Sequence, residues 1–227
     1  MSLPIPDIES AMTYRDAGFG EEIEAATHGR ISAAHGCHLD PQFHDGRVAF
    51  GQTGAALSHL LKNGVDVGDV FLFFGRFRDA VGALGHRIFG WMRVDDIHDE
   101  GEQRNPRDLL GAGMVHPHTE GRYGTRNTIF LGEGWNRAPA VPELCLTQPH
   151  GPLSAWIVPE WPNRTGLTYH ARPDRWTPPN RLRAVSRGQE FIADIGDCPV
   201  ALQWITQVTN LIGPARGGAI AHIGDGQ

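Results

Sequence analysis

The stretch HPHTEGRYGTRN (116–127) brings two imidazoles, a carboxylate, two guanidiniums and an amide together between glycines. His116 and His118 offer a general base, Arg122 and Arg126 offer contacts to an anion, and Asn127 offers an amide that can pair with a nucleobase edge. The i, i+2 spacing lets both imidazoles point the same way from an extended segment and ligate a metal. Pro117 is awkward for ladder pairing, however, and spacing fixes no third ligand, so no metal site is assigned. A second group, CHLDPQFHDGR (37–47), holds His38, Asp40, His44, Asp45 and Arg47. Asp40 within reach of a histidine would orient it as a base, while a turn at Asp40-Pro41 with solvent-facing histidines accounts for the same letters. His59 sits beside leucines, where a hydrogen-bonded core role competes with a catalytic one. In SRGQEF (186–191), Arg187 can contact phosphate, Gln189 can pair with a base edge and Glu190 can exchange a proton. An Arg–Glu surface pair of little energetic value explains that stretch equally well.

VGDVFLFFGRFR (67–78) puts an apolar run ahead of Gly75, Arg76 and Arg78. Such a strand can fill a core while its end delivers two guanidiniums to the sheet rim, as substrate contacts. Among the 20 basic residues Lys62 is the single lysine, so the remaining cations are planar guanidiniums suited to phosphate, and lysine-dependent Schiff-base or P-loop chemistry is disfavoured. The formal charge of −6 hides a polarised chain. Residues 1–27 are acidic, whereas Arg164, Arg172, Arg175, Arg181, Arg183 and Arg187 face one acid, Asp174, in what is either a landing surface for phosphates or a solvated loop. The acidic total argues against tight non-specific DNA binding. Cys37, Cys145 and Cys198 lie far apart without a C-x-x-C spacing, which disfavours a disulfide framework or a cysteine zinc site. No G-x-S-x-G, P-loop or dinucleotide-binding G-x-G-x-x-G is present.

These groups need elements to position them. The spacing predicts a helix over 50–64 ending at Gly64, strands at 67–75, 86–97, 127–132 and 189–195, and a closing helix over 198–213. The 67–75 strand is apolar on both faces, as in a central or closed sheet. In 86–97, Ile88, Gly90, Met92 and Val94 alternate with Arg87, Phe89, Trp91 and Arg93. Residues 133–185, rich in proline and with Trp156, Trp161 and Trp176, are expected to be loops and short strands packed on the sheet. The fold expected is one α+β domain over 1–215, with a strongly bent or barrel-like mixed sheet and flanking helices, and a flexible tail over 216–227. The longest apolar run is far shorter than the roughly 20 residues of a membrane span, and MSLPIPDIES has no basic n-region or apolar h-region, so no membrane partner and a cytoplasmic location are expected.

GVDVGDVFLFFGRFR followed by HRIFGWMRVDDI resembles the turn-strand-loop-strand core of PUA-like barrels, the ASCH and EVE domains among them. A closer resemblance is to the nucleotide modification associated domain 3 family, a bacterial and phage group linked to DNA base modification. It rests on LPIPD (3–7), HLDP (38–41), FGQTGAALSHL (50–60), VGDVFLFFGRFR (67–78), HPH (116–118), NTIFL (127–131), RW (175–176), SRGQEF (186–191) and Trp204. The resemblance implies a nucleotide or a modified DNA base as partner, other DNA-modification enzymes as associates, and a place for His59 in the site; it names no cofactor. Family members begin upstream with an additional strand and a Gly-rich segment, so the N-terminus is expected to be truncated relative to them. Three readings follow: an enzyme acting on a nucleotide or base with arginine phosphate contacts and histidine acid–base groups; a non-catalytic reader holding a modified base in an aromatic pocket with Phe89 or Trp91; and a metal-dependent hydrolase.

Overall fold

Residues 3–79, 82–101, 105–137, 141–185 and 190–214 are described by the computed structural model. Their elements run β1 (Ile5–Pro6), α1 (Gly20–Thr27), β2 (Cys37–His38), β3 (Gln42–His44), β4 (Arg47–Thr53), α2 (Gly54–Lys62), β5 (Val70–Arg78), β6 (Leu84–Asp99), β7 (Asn127–Asn136), β8 (Ala155–Ile157), α3 (Trp161–Thr165), β9 (Trp176–Thr177), β10 (Arg181–Arg183) and α4 (Pro199–Ile212). The expected tail, 216–227, lies outside the described residues.

The main sheet has five antiparallel strands in the order β3-β4-β7-β6-β5. Alternation sends its side chains into two cores. On one face Val48, Phe50, Phe73, Met92, Val94 and Phe130 meet Leu57 and Leu60 of α2. On the other, Ile88 and Trp91 meet Trp156, Leu182, Val208 and Ile212 from the Trp-rich segment and α4. The short strands β8, β10 and β9 form their own antiparallel sheet in that second layer. A third cluster, Met12, Tyr14, Ile23 and Cys37, holds the N-terminal segment together, with β1 pairing β2.

The α+β class and the strands at 67–75, 86–97 and 127–132 agree with expectation, as does the helix at 198–213. Other expectations need correction. The sheet is antiparallel, not mixed, and among the described residues no strand joins β3 to β5, so the barrel is not confirmed. β5 is an edge strand. It is apolar on both faces because both are covered: Phe71 and Phe73 pack toward α2, while Leu72 packs toward the second layer and Phe74 lies against Trp156. The helix expected from residue 50 starts at Gly54, because residues 47–53 pair with β7 and Gly54 at φ 55° turns the chain out of the sheet. Residues 190–195 are not a strand; their tie is to Thr168, whose N–H donates to the Ile192 carbonyl at 2.9 Å.

Candidate functional site

Gly51 lies in β4 on the face opposite Val48 and Phe50, and that face is where the two histidine-bearing segments meet. The 3₁₀ turn Pro117–Thr119 packs over β4 and β7, so His118 rests directly on Gly51; a Cβ added there would come within 2.7 Å of His118 Nδ1. Thr53 ties the turn's C-terminal side to the end of β4, its hydroxyl donating to the Arg126 carbonyl at 2.6 Å. The 37–47 segment approaches from the other side. Asp40 then accepts the Gly51 N–H with both oxygens, at 3.0 and 3.2 Å.

Three imidazoles converge on the Asp40 carboxylate, whose side chain is 5% exposed: His116 Nε2 at 3.4 Å from Oδ1, His118 Nε2 at 3.5 Å from Oδ2, and His38 Nε2 at 3.8 Å from Oδ2. Burial alone would raise the Asp40 carboxyl. The neighbouring His116 and His118 and the Gly51 N–H outweigh it and hold the pKa below the ordinary value, so Asp40 is a carboxylate at neutral pH. For His118 burial is the largest influence and lowers its pKa, although Asp40 and Asn127 pull the other way.

The network assigns the histidine tautomers. Asn127 Nδ2 donates to the His118 carbonyl at 2.6 Å, which turns Asn127 Oδ1 toward His118 Nδ1 at 2.7 Å. Nδ1 of His118 therefore carries the hydrogen, and its Nε2 faces Asp40. His116 Nδ1 accepts the His118 N–H at 3.3 Å, which leaves its own hydrogen on Nε2, toward Asp40. Tyr123 stacks on the His118 ring at 4.3 Å and 10°, and its hydroxyl lies 3.1 Å from His38 Nδ1. Burial raises the Tyr123 pKa, keeping the phenol protonated.

The other expected residues fall in three places. Asp40, His116, His118 and Asn127 come together. Arg122 lies beside them, but its guanidinium is paired within the chain, at 2.9 Å to Asp7 and 2.6 Å to Glu120. The Arg122 bond is the largest influence lowering the Asp7 pKa. His59 is elsewhere: its contacts are with Thr168 at 3.3 Å, Asn63 and the Tyr169 ring. Arg76 and Arg78 are exposed at the end of edge strand β5, where Arg76 pairs across to His86 and Arg78 donates to the Gly82 carbonyl at 2.9 Å. Glu190 is half-buried, and its Oε2 has no hydrogen-bond partner among the described residues. Arg187 and Gln189 lie outside the described residues. Residue types and spacing do not mark Gly51 or Tyr123, and although the HLDP segment holds His38, nothing in spacing joins it to residues 80 positions away.

Next to the centre lies a cleft of about 240 Å³ lined by Phe19, Phe43, Phe77, Phe89, Arg137 and, in its wall, Asp40. Phe77 comes from between the two arginines of β5, and Arg137 follows β7, its N–H donating to the Phe89 carbonyl at 2.7 Å. Trp91, the other residue expected of an aromatic pocket, is instead in the second core.

Sheet, centre and cleft together define an α+β protein whose antiparallel sheet carries a buried aspartate–histidine centre beside an aromatic cleft. All of these features precede residue 140. The chain belongs to the family described as nucleotide modification associated domain 3, whose model matches residues 1–194. No curated protein and no solved structure matches it. Among the described residues no helix is long and apolar enough to cross a membrane.

Proposed function

We propose that this chain binds a nucleotide, or a base presented by DNA, in the cleft and acts on it from the Asp40 centre. Its association with nucleotide modification comes from the family. The observation that carries the rest is the double position of Asp40, which gathers three imidazoles and also belongs to the cleft wall. A base stacked among Phe19, Phe77 and Phe89 has Arg137 at hand for a phosphate. His38, 24% exposed, is the histidine of the three that reaches solvent, so its side of the centre is the one a reacting group can approach. His116 and His118, almost fully buried, position Asp40 and the site behind it. Imidazole and carboxylate groups of this kind move protons and activate water.

A second reading, a reader that binds without reacting, is favoured by Phe89, which lines the cleft as such a pocket requires. One experiment separates them. Nucleotides and oligonucleotides with unmodified and modified bases are titrated against wild type, Phe89→Ala and His38→Ala, with product analysis alongside. Loss of base stacking in Phe89→Ala is expected to weaken binding by roughly 10- to 100-fold. His38→Ala is expected to bind normally and form no product. Binding without product in wild type supports the reader, and binding unaffected by Phe89→Ala removes the cleft from both readings.

A further inference from the structure

We infer that His38 Nε2, Asp40 Oδ2 and His118 Nε2 form a binding site for a first-row transition-metal dication. The three donor atoms lie within 4.8 Å of one another, with Asp40 Oδ2 at 3.5 Å from His118 Nε2 and 3.8 Å from His38 Nε2. Donors bonded at about 2.1 Å to one ion stand roughly 3.0 to 3.4 Å apart, so each imidazole needs to close on Asp40 Oδ2 by only a few tenths of an ångström.

The hydrogen-bond network points the same way. With Nδ1 of His118 turned to Asn127, Nε2 is the nitrogen that faces the Asp40 carboxylate. A nitrogen and a carboxylate oxygen facing each other in a buried site can share one cation. His118 also has the outer support usual for a metal-bound imidazole: an amide oxygen on the far nitrogen, which fixes ring and tautomer. Tyr123 stands in the same relation to His38, 3.1 Å from Nδ1, and can accept its hydrogen. His116, on the other carboxylate oxygen, and the Gly51 N–H hold Asp40 in place. The surroundings are acidic: Asp7, Asp40 and Glu120 outnumber Arg122. Two imidazoles and one carboxylate suit zinc, iron(II), cobalt(II) or manganese(II), not magnesium or calcium, which prefer oxygen donors.

The inference concerns the centre of the proposed function but does not require a nucleotide, since metal is read on the resting protein. Chelator-treated full-length protein is titrated with Zn²⁺, Co²⁺, Mn²⁺ and Mg²⁺ by calorimetry, and with Fe²⁺ under anaerobic conditions. One equivalent of at least one transition ion is expected to bind and raise the melting temperature, with Mg²⁺ inactive. His38→Ala should weaken that binding by roughly 100-fold or more, since loss of even an outer-shell partner costs 10- to 100-fold. His44→Ala, which removes a solvent-facing histidine from the same segment, should change nothing. Should His38→Ala fail to fold, wild-type NMR gives the answer: Co²⁺ or Mn²⁺ must broaden the His38 and His118 ring resonances first. No uptake of any transition ion, uptake unaltered in folded His38→Ala, or broadening that begins elsewhere overturns the site. Metal uptake without nucleotide binding leaves it standing and sinks the proposed function instead.

Discussion

Gly51→Ala is a one-methyl test of how the centre is held. Residue 51 has ordinary strand backbone, so alanine brings no conformational strain, and the effect lies wholly in the contact. The new Cβ would stand 2.7 Å from His118 Nδ1 and closer still to Cγ and Cδ2, where 3.4 Å is the near edge of ordinary contact. The ring must therefore shift by at least ~0.7 Å at Nδ1 and further at the carbons. It has little room. Tyr123 is stacked on it, and the 2.7 Å bond to Asn127 stretches as the ring moves. Overpacking of this order costs roughly 1 to 3 kcal/mol, and a displacement near 1 Å at a reacting centre costs on the order of 10² in rate. The expected result is a melting temperature lowered by several degrees, with the His118 Nδ1–H resonance shifted or lost to exchange. Any metal affinity or turnover should fall by more than the stability loss explains. An unchanged melting temperature together with an unchanged Nδ1–H signal would show that His118 does not rest on Gly51, and the packing of the two histidine segments around Asp40 would be wrong.

Two further outcomes concern charge. His170 is 1% exposed, its Nδ1 hydrogen bonded to the Thr168 carbonyl at 2.8 Å and its Nε2 accepting the Val185 N–H at 3.2 Å, so the fold needs the neutral ring. Burial lowers its pKa below 6.5, and that of His86 likewise; their contribution is complete above 6.5 and is lost as pH falls through the lowered folded values. Melting temperature should accordingly drop between about pH 7.5 and about pH 5. His170→Gln should flatten part of that slope, and an equally steep profile in the variant would acquit His170. Arg122→Gln should cost roughly 1 to 3 kcal/mol at neutral pH, because it strips partners from Asp7 and Glu120. Asp7 has a lowered pKa, so its contribution is present above 3.8 and disappears as pH falls through the lowered value. The gap between variant and wild type should therefore close in acid, and denaturant melts at both pH values would expose a gap that does not.

How far the letters carry depends on the range of the interaction. The β6 and β7 segments were legible because alternation is a local signal, and α4 because Pro199 and Gly213 bracket an apolar period. β4 was hidden. Its residues 47–53 became a strand only by pairing with β7, some 80 positions later, and four of them, 50–53, read as the first turn of a helix. The apolar run of β5 could not distinguish a central strand from an edge strand whose faces are both covered, since the covering layers come from α2 and from the segment after residue 140. The stretch 190–195 has a strand's composition but finds no ladder partner.

The centre divides in the same way. Asp40, His116, His118 and Asn127 could be named because each belongs to a dense local group of polar residues, yet only the fold joins the two groups. What joins them is Gly51, whose missing side chain admits the imidazole and whose N–H holds the carboxylate that the imidazole faces. Density does not reveal pairing: Arg122 is one of two arginines in its stretch, and the acidic N-terminal segment it meets through Asp7 lies 115 residues away. An arginine already paired with two carboxylates gains little from a phosphate. Arg137, held at the cleft by its backbone bond to Phe89, is the better candidate for that contact, although nothing in its own neighbourhood of the sequence marks it. The polar groups of this centre are thus local in composition and long-range in assembly, and the residues that close the gap are Gly51 under His118, Tyr123 against His38, and Asn127 behind the ring.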